Sequence, residues 1–240
     1  MTTKSAVENY YNSTWKELEE KGLTKPNNRH YIILDYLKKH GLKNNSKALE
    51  IGCGIGTLSS LVGKHLKLGR LVAVDISPET IKLAQFKFKN QKNIQFEVSD
   101  MSNWENPEKF DIILLPDVLE HIPFDQYENL FRRLKKVSHD RTRILINIPH
   151  PSAIEYYQQN KPELLQIIDL PVHVDVLSKH VYEIGFMIDR IEPYSIDTDE
   201  NNYQFIVLKN RKTFTNYNPT PKTKLFFQHW AYRLKAMFYS

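Results

Sequence analysis

Short apolar runs alternate with longer amphipathic stretches along most of the chain. Apolar runs at 47–51, 70–75 and 110–115 are nearly continuous, which is typical of parallel strands buried on both faces. The run at 94–98 alternates apolar and polar residues, so we expect a half-exposed strand there. Each run is followed by residues at helical spacing, which predicts a strand-helix alternation.

Start and stop signals support the predicted helices. Stretches 1–20, 28–40 and 124–138 carry apolar residues at helical spacing, and Gly41 follows the second of them. Glycine is the commonest residue just beyond a helix end, because it tolerates left-handed backbone angles. A further helix is predicted to begin at Ser77-Pro78-Glu79, which supplies an N-cap, a first-turn proline and an acid near the helix dipole.

Three further strands are predicted at 143–148, 186–191 and 203–208, and an acidic turn joins the last two. Strands that alternate with helices and end in a turn-connected pair predict an α/β fold. We therefore expect a doubly wound, seven-stranded sheet with an antiparallel last strand and helices on both faces.

Three alternating glycines form the feature around which the chain is organised. Gly52, Gly54 and Gly56 follow the first strand and lead into a helix that begins near Thr57. Bare glycine backbone lets a ligand approach closely, and the helix start directs N–H groups at it. Asp75 ends the second strand, about twenty residues on, where an acid binds a ribose in nucleotide-binding folds. The loop is therefore predicted to hold a nucleotide-like ligand.

The segments Glu50-x-Gly52-x-Gly54-x-Gly56 and Val74-Asp75-Ile76-Ser77 resemble the first two motifs of the class I S-adenosylmethionine-dependent methyltransferases. The resemblance covers about residues 28–208. It implies a Rossmann-like sheet, S-adenosylmethionine as cofactor, and O-methylation of a small molecule or of a glycan or secondary-metabolite precursor.

The resemblance also implies residue roles. The glycine loop would contact the amino-acid part of the cofactor and Asp75 the ribose. Asp100 would accept from the adenine amino group, the Met101 N–H would donate to the ring, and Ile76 would pack on it. Cys53 is expected to fill space rather than act as a nucleophile. The full predicted cofactor set is Tyr11, Glu50, Gly52, Cys53, Gly54, Gly56, Asp75, Ile76, Asp100, Met101, Pro116, Asp117 and Val118.

The turn after the fourth strand places Asp117, Glu120 and His121 at positions that share one face of a helical turn. Carboxylates with an imidazole suit a hard divalent cation. The resemblance extends to family members that bind such an ion with a Glu-x-x-Glu-His turn and a histidine from a later insertion, which His173 would supply here. Alternatively, His121 lines the acceptor pocket or acts as a base, or the turn is structural. We predict no metal, and we expect His121 and His150 to be the catalytic residues, because imidazole titrates near neutral pH.

Three units are predicted. Residues 1–41 would form an N-terminal helical lid, 42–209 the S-adenosylmethionine-binding domain with an insertion at 149–174, and 210–240 a linker and a basic aromatic helix. The alternatives for function are a metal-assisted RNA-end or protein methyltransferase, a cofactor-binding module without turnover, and a nicotinamide dehydrogenase.

Composition refines the expected partners. The 240 residues carry a net charge of +5, but the seven basic residues from Lys209 onward face no acid. The basic excess therefore belongs to the tail, which argues against a nucleic-acid partner for the body. One cysteine, no apparent signal peptide and no long apolar run indicate a cytoplasmic protein. The tail helix is expected either to pack on this chain or on a second subunit, as in a homodimer, or to contact an anionic membrane surface.

Overall fold

The computed structural model describes residue 10 and the ranges 25–212 and 219–237. The seven strands are β1 (Lys47–Ile51), β2 (Arg70–Asp75), β3 (Ile94–Val98), β4 (Phe110–Pro116), β5 (Ser138–Pro149), β6 (Phe186–Tyr194) and β7 (Tyr203–Asn210). The α-helices are α1 (Asn28–Lys39), α2 (Thr57–His65), α3 (Pro78–Lys87), α4 (Tyr127–Lys136), α5 (Pro151–Asn160), α6 (Val174–Glu183) and α7 (Lys222–Met237). Short 3-10 turns lie at Leu119–His121, Phe124–Gln126 and Pro162–Leu164.

The strands form one sheet in the order β3-β2-β1-β4-β5-β7-β6. Strands β1 to β5 pair in parallel, and β7 runs antiparallel to both of its neighbours, β5 and β6. The strand order reverses between β1 and β4, and such a reversal opens a crevice at the carboxyl ends of the strands. The predicted doubly wound sheet with an antiparallel last strand is confirmed.

Helices cover both faces of the sheet and form two hydrophobic cores. On one face α1, α2 and α3 bury residues such as Leu37, Val62 and Ile81 against the sheet. On the other face α4 and α6 bury residues such as Phe131 and Val181. Because successive strand side chains point to opposite faces, the continuous apolar strands supply both cores at once.

Two predicted elements differ from the structure. The helix expected over 124–138 begins as a 3-10 turn at Phe124–Gln126 and becomes α-helical only at Tyr127. Pro123 stands immediately before that turn, and a proline restricts the residues around it. Strand β5 begins at Ser138, five residues before the predicted start at 143.

The first predicted helix, 1–20, lies outside the described residues except for Tyr10. The three predicted units therefore remain a prediction. Among the described residues, no helix combines the length and apolar character that crossing a bilayer requires.

Candidate cofactor and acceptor site

A cavity of about 850 Å³ opens at the carboxyl ends of β1, β2 and β4. Its volume is in the range of small-molecule and cofactor sites. Eleven of the predicted site residues line it: Glu50, Gly52, Cys53, Asp75, Ile76, Asp100, Met101, Pro116, Asp117, Val118 and His121. The crevice predicted from the strand order is thus a real space with most of the predicted residues on its walls.

The glycine loop, residues 52–56, requires glycine for two separate reasons. Gly52 has φ of 75° and Gly56 has φ of 79°, angles that side-chain-bearing residues rarely adopt. A Cβ on Gly52 would also lie 2.4 Å from a methyl carbon of Val118. The N–H groups of Gly52 and Cys53 both donate to the Val74 carbonyl, which ties the loop to the end of β2.

Asp75 holds the loop and lines the cavity at the same time. Its carboxylate accepts from the Gly54 N–H at 2.7 Å and from the Ser77 N–H at 2.9 Å. Burial raises the pKa of Asp75, while these N–H donors oppose the rise. The Thr80 hydroxyl also donates to Asp75 Oδ1 at 3.2 Å. A carboxylate has about four acceptor positions, so these three contacts leave limited capacity for a ligand hydroxyl.

Glu50 is a buried carboxyl with one unsatisfied oxygen. Its Oε2 accepts from the Ser59 hydroxyl at 2.6 Å, but its Oε1 has no hydrogen-bond partner among the described residues. Burial, with a smaller contribution from Asp75, raises the pKa of Glu50 to about 8. A buried acceptor without a donor is unfavourable, so this position fits a ligand that brings a cationic donor.

The loop after β3 supplies Asp100 and Met101 to the wall. Asp100 Oδ1 accepts from the N–H and hydroxyl of Ser102 at 3.0 and 2.7 Å. The Met101 N–H, predicted to donate to the adenine ring, donates instead to the Ser99 hydroxyl at 3.0 Å. Met101 has φ of 63° and a buried side chain, so the loop is tightly bent at the cavity.

Asp117 pairs with a cation that the sequence patterns did not indicate. Arg29, on α1, places Nη1 2.5 Å from Asp117 Oδ2 and 3.0 Å from the Tyr203 hydroxyl. Arg29 also lines the cavity. This contact joins α1 to the turn after β4.

His121 is held by the insertion between β5 and α6. Its Nδ1 lies 2.6 Å from the Ile168 carbonyl oxygen and 3.0 Å from Asp169 Oδ1. Because both partners are acceptors, Nδ1 carries the proton. Burial disfavours the imidazolium, but the Asp169 hydrogen bond and the Glu120 charge outweigh it and raise the pKa of His121 to about 9.

The other predicted residues that the structure describes are not on the cavity wall. Gly54 and Gly56 belong to the glycine loop but do not line the cavity. His150 caps α5, accepting from the Ser152 N–H at 3.3 Å, and is not on the cavity wall. His173 pairs with Glu155 at 2.8 Å, away from the Asp117 turn. Glu120 is buried beneath the wall rather than on it. Tyr11 lies outside the described residues, although its neighbour Tyr10 lines the cavity.

No group of three or more potential metal ligands comes together within the described ranges. The spacing of Asp117, Glu120 and His121 had suggested one face of an α-helical turn. The segment is instead a 3-10 turn that starts at Leu119, after an Asp117 with φ of 52°. Asp117 therefore contacts Arg29 and His121 reaches Asp169, while Glu120 is buried with its Oε1 3.9 Å from His121 Nε2.

Arg29, Gln166, Ile168 and Asp169 are site residues that the sequence analysis missed. Arg29 sits in the first turn of a helix with no motif around it, and the other three lie in an irregular segment. They are recognised only in the structure, where that segment folds back against the cavity.

Known proteins with this fold bind the cofactor that the site fits. Magnesium protoporphyrin IX methyltransferase from Synechocystis, solved with bound S-adenosylhomocysteine, superposes with a TM-score of 0.67 over 86% of this chain and 99% of its own. The two sequences are 18% identical, so this likeness shows the fold alone.

Sequence comparison adds relatives for the cofactor-binding half. Malonyl-[acyl-carrier protein] O-methyltransferase 1 from Ilyobacter polytropus is 32% identical over 95 residues, which are 40% of this chain and 35% of that protein. (S)-coclaurine N-methyltransferase from Thalictrum flavum is 25% identical over 126 residues, which are 51% of this chain and 34% of that protein. The chain therefore matches only about a third of the length of these relatives.

Residues 48–140 match the family described as "Methyltransferase domain". The sheet that contains them has the fold of class I S-adenosylmethionine-dependent methyltransferases. S-adenosylmethionine is the cofactor of this class, and the cavity fits it. Five carboxyl side chains line the wall (Glu50, Asp75, Asp100, Asp117 and Asp125), and the four that are not paired with Arg29 complement a ligand that carries a sulfonium and an ammonium.

Proposed function

We propose that this protein transfers a methyl group from S-adenosylmethionine to an oxygen of a small molecule or of a glycan or secondary-metabolite precursor. The observation that carries the proposal is one cavity whose wall holds both the predicted cofactor residues and His121. The relatives include enzymes named for transfer to oxygen and to nitrogen, so they do not decide between the two acceptor atoms. We choose oxygen because His121 offers a base for a hydroxyl.

The cofactor contacts are assigned to carboxyl groups of the cavity wall. When bound, S-adenosylmethionine supplies an electrophilic methyl carbon attached to a positively charged sulfur. Glu50 Oε1 is the buried acceptor available to the ammonium of its amino-acid part. Asp75, on the wall beside the glycine loop, is assigned to the ribose hydroxyls. The protein's main task is then to hold the acceptor in line with the methyl carbon and to exclude water.

The acceptor end is assigned to the imidazole. Since His121 Nδ1 donates to Ile168 and Asp169, Nε2 is the nitrogen that we assign as the base. It would take the proton from the acceptor hydroxyl as the oxygen attacks the methyl carbon. Asp169 contacts His121 and accepts from the Gln166 N–H, and it does not contact the acceptor in this scheme. It is therefore a positioning residue that fixes the tautomer and raises the basicity of the ring.

His150 has no catalytic role in the proposal, because it lies off the cavity wall and caps a helix.

Experiments can distinguish the proposed roles, because variants of Glu50, Asp75 and His121 should have different phenotypes. Loss of a cofactor contact lowers affinity for S-adenosylhomocysteine, whereas loss of the base lowers turnover alone.

The experiment is a methyl-transfer assay with radiolabelled S-adenosylmethionine against fractionated small-molecule extracts. We expect label in an organic-soluble or glycan fraction with the wild type, and less than about a hundredth of that rate with His121→Gln at unchanged cofactor affinity. His173→Gln, on an exposed histidine off the wall, is the matched control and should retain full activity. Equal activity of His121→Gln and wild type would remove the base assignment.

A further inference from the structure

The last described helix, α7, is exposed along its whole length. It spans Lys222–Met237, and none of its residues is buried. Seven of its large apolar side chains are between 38 and 72% exposed: Leu225, Phe226, Phe227, Trp230, Tyr232, Leu234 and Met237. Exposed aromatic surface of this density marks an interaction site, since isolated apolar residues on a surface are ordinary but clusters are not.

The apolar side chains of α7 are concentrated on one side. At about 100° per residue, five of them fall within an arc of about 100°. These five define the aromatic face of α7: Phe226, Phe227, Trp230, Leu234 and Met237. Leu225 and Tyr232 project on the far side together with Gln228 and His229, so the two sides differ in character.

Basic residues border that face and no acid interrupts them. Lys222 and Arg233 lie along one border of the aromatic face, and Lys224 and Lys235 lie beyond the other. The chain from Lys209 to its last printed residue has seven basic residues and no Asp or Glu. Basic side chains beside aromatic ones are the pattern of helices that lie in the interfacial plane of a bilayer.

We propose that α7 docks on an anionic membrane surface, with its aromatic face in the acyl boundary and its Lys and Arg side chains on lipid phosphates. The charge of α7 favours anionic lipid over a second copy of the helix. Packing two copies of α7 face to face would bring like charges together, whereas anionic lipid headgroups complement all of them. The first 208 residues carry 26 basic and 28 acidic residues, so the body itself gives no comparable attraction.

The length of α7 suits this role. Its 16 residues extend for about 24 Å, which is enough to lie along a surface. Trp and Phe are the side chains that prefer the headgroup region, and long basic side chains reach outward to phosphates while their methylenes stay in apolar surroundings.

The test is vesicle flotation of the full chain with phosphatidylcholine vesicles and with equal parts of phosphatidylcholine and phosphatidylglycerol. We expect flotation with the anionic vesicles alone, and partial release when the salt concentration rises, because screening weakens only the charge contribution. Failure of the wild type to float with anionic vesicles would overturn the proposal.

Matched variants within α7 test the face itself. Phe226→Ser/Trp230→Ser/Leu234→Ser removes the aromatic face and should lower vesicle partitioning by about tenfold or more. Leu225→Ser/His229→Ser/Tyr232→Ser alters the far side and should keep partitioning within about twofold. Equal loss in both variants would contradict the assigned orientation.

Light scattering on the same proteins separates lipid from a second copy. A wild-type dimer that becomes monomeric only in the aromatic-face variant would assign the face to a protein partner and overturn the lipid proposal. The variants should bind S-adenosylhomocysteine as the wild type does, because no α7 residue lines the cavity. These readouts do not depend on methyl transfer, so the lipid proposal and the proposed function fail separately.

Discussion

Buried carboxyl groups set the chemistry of the site at the scale of single residues. Glu50 and Glu120 are almost fully buried, and each has one oxygen without a partner among the described residues. Burial raises the pKa of each to about 8. A carboxyl that binds its proton more tightly in the folded than in the unfolded chain makes stability depend on pH.

The pH dependence has a definite sign. Between pH 4.5, the usual value for a glutamate, and about 8, folded Glu50 keeps a proton that the unfolded chain has lost. The free energy of unfolding of the ligand-free protein should therefore fall as pH rises through this window. We expect Glu50→Gln to flatten that fall and to be more stable than wild type at pH 8 by about 2 kcal/mol.

Urea unfolding at pH 5 and pH 8 measures this effect. The same Glu50→Gln variant should bind S-adenosylhomocysteine about tenfold more weakly, because the acceptor for the ammonium becomes an amide. Glu79→Gln, at an exposed position on α3, is the control and should change neither quantity. A Glu50→Gln variant that is less stable at pH 8 and binds normally would show that Glu50 is structural.

Asp169 gives a second residue-scale prediction through His121. In the ligand-free protein the His121 pKa is about 9, so kcat/KM should rise with pH up to about that value if the neutral imidazole is the base. Asp169→Asn removes the negative partner and should move the midpoint of the profile to lower pH by about one unit. Asp175→Asn, on exposed α6 surface, should leave the midpoint unchanged. If kcat/KM falls as pH approaches 9, the active form of His121 is the protonated imidazolium and His121 is not the base.

At the scale of elements, the strand-loop-helix unit built from β1, the glycine loop and α2 organises the site. Gly52 and Gly56 allow the backbone angles of this unit, and hydrogen bonds to the Val74 carbonyl and the Asp75 carboxylate fix its position. The unit was predictable because its signals are local: an apolar strand, alternating glycines and a helix start. Its bounds agree with the prediction to within a residue.

Gly52→Ala tests how tightly this unit is packed. The new Cβ would meet Val118 at 2.4 Å in addition to the strain of a positive φ, so we expect a loss of about 3 kcal/mol in stability. A new Cβ at Gly41 would lie 3.9 Å from Arg143 Cδ, which is an ordinary contact, so Gly41→Ala carries the backbone strain without the clash and should lose about 1 kcal/mol. Thermal unfolding measures both, and Gly52→Ala/Val118→Ala should recover part of the difference. Equal losses at Gly41 and Gly52 would mean that Val118 is free to move aside.

At the scale of the whole molecule, the parts that the sequence did not predict are those that depend on distant segments. The spacing of the Asp117 turn is compatible with three side chains on one face, but Asp117 has a positive φ and the turn is a 3-10 turn. Glu120 and His121 stay neighbours at 3.9 Å, whereas Asp117 contacts Arg29. Arg29 reaches Asp117 from α1, and Asp169 reaches His121 from the insertion, across 88 and 48 positions of sequence respectively. No local pattern encodes such contacts, because they follow from how complete layers pack on the sheet.

The central claim is that the cavity beside the glycine loop binds S-adenosylmethionine through Asp75 and Glu50. Calorimetric titration of the wild type and of Asp75→Ala with S-adenosylhomocysteine tests it most directly, with NAD as the competing ligand. The account predicts measurable binding of S-adenosylhomocysteine to the wild type, none of NAD, and at least about tenfold weaker binding to Asp75→Ala. Absence of heat with the wild type, or equal affinity of the two proteins, would contradict it.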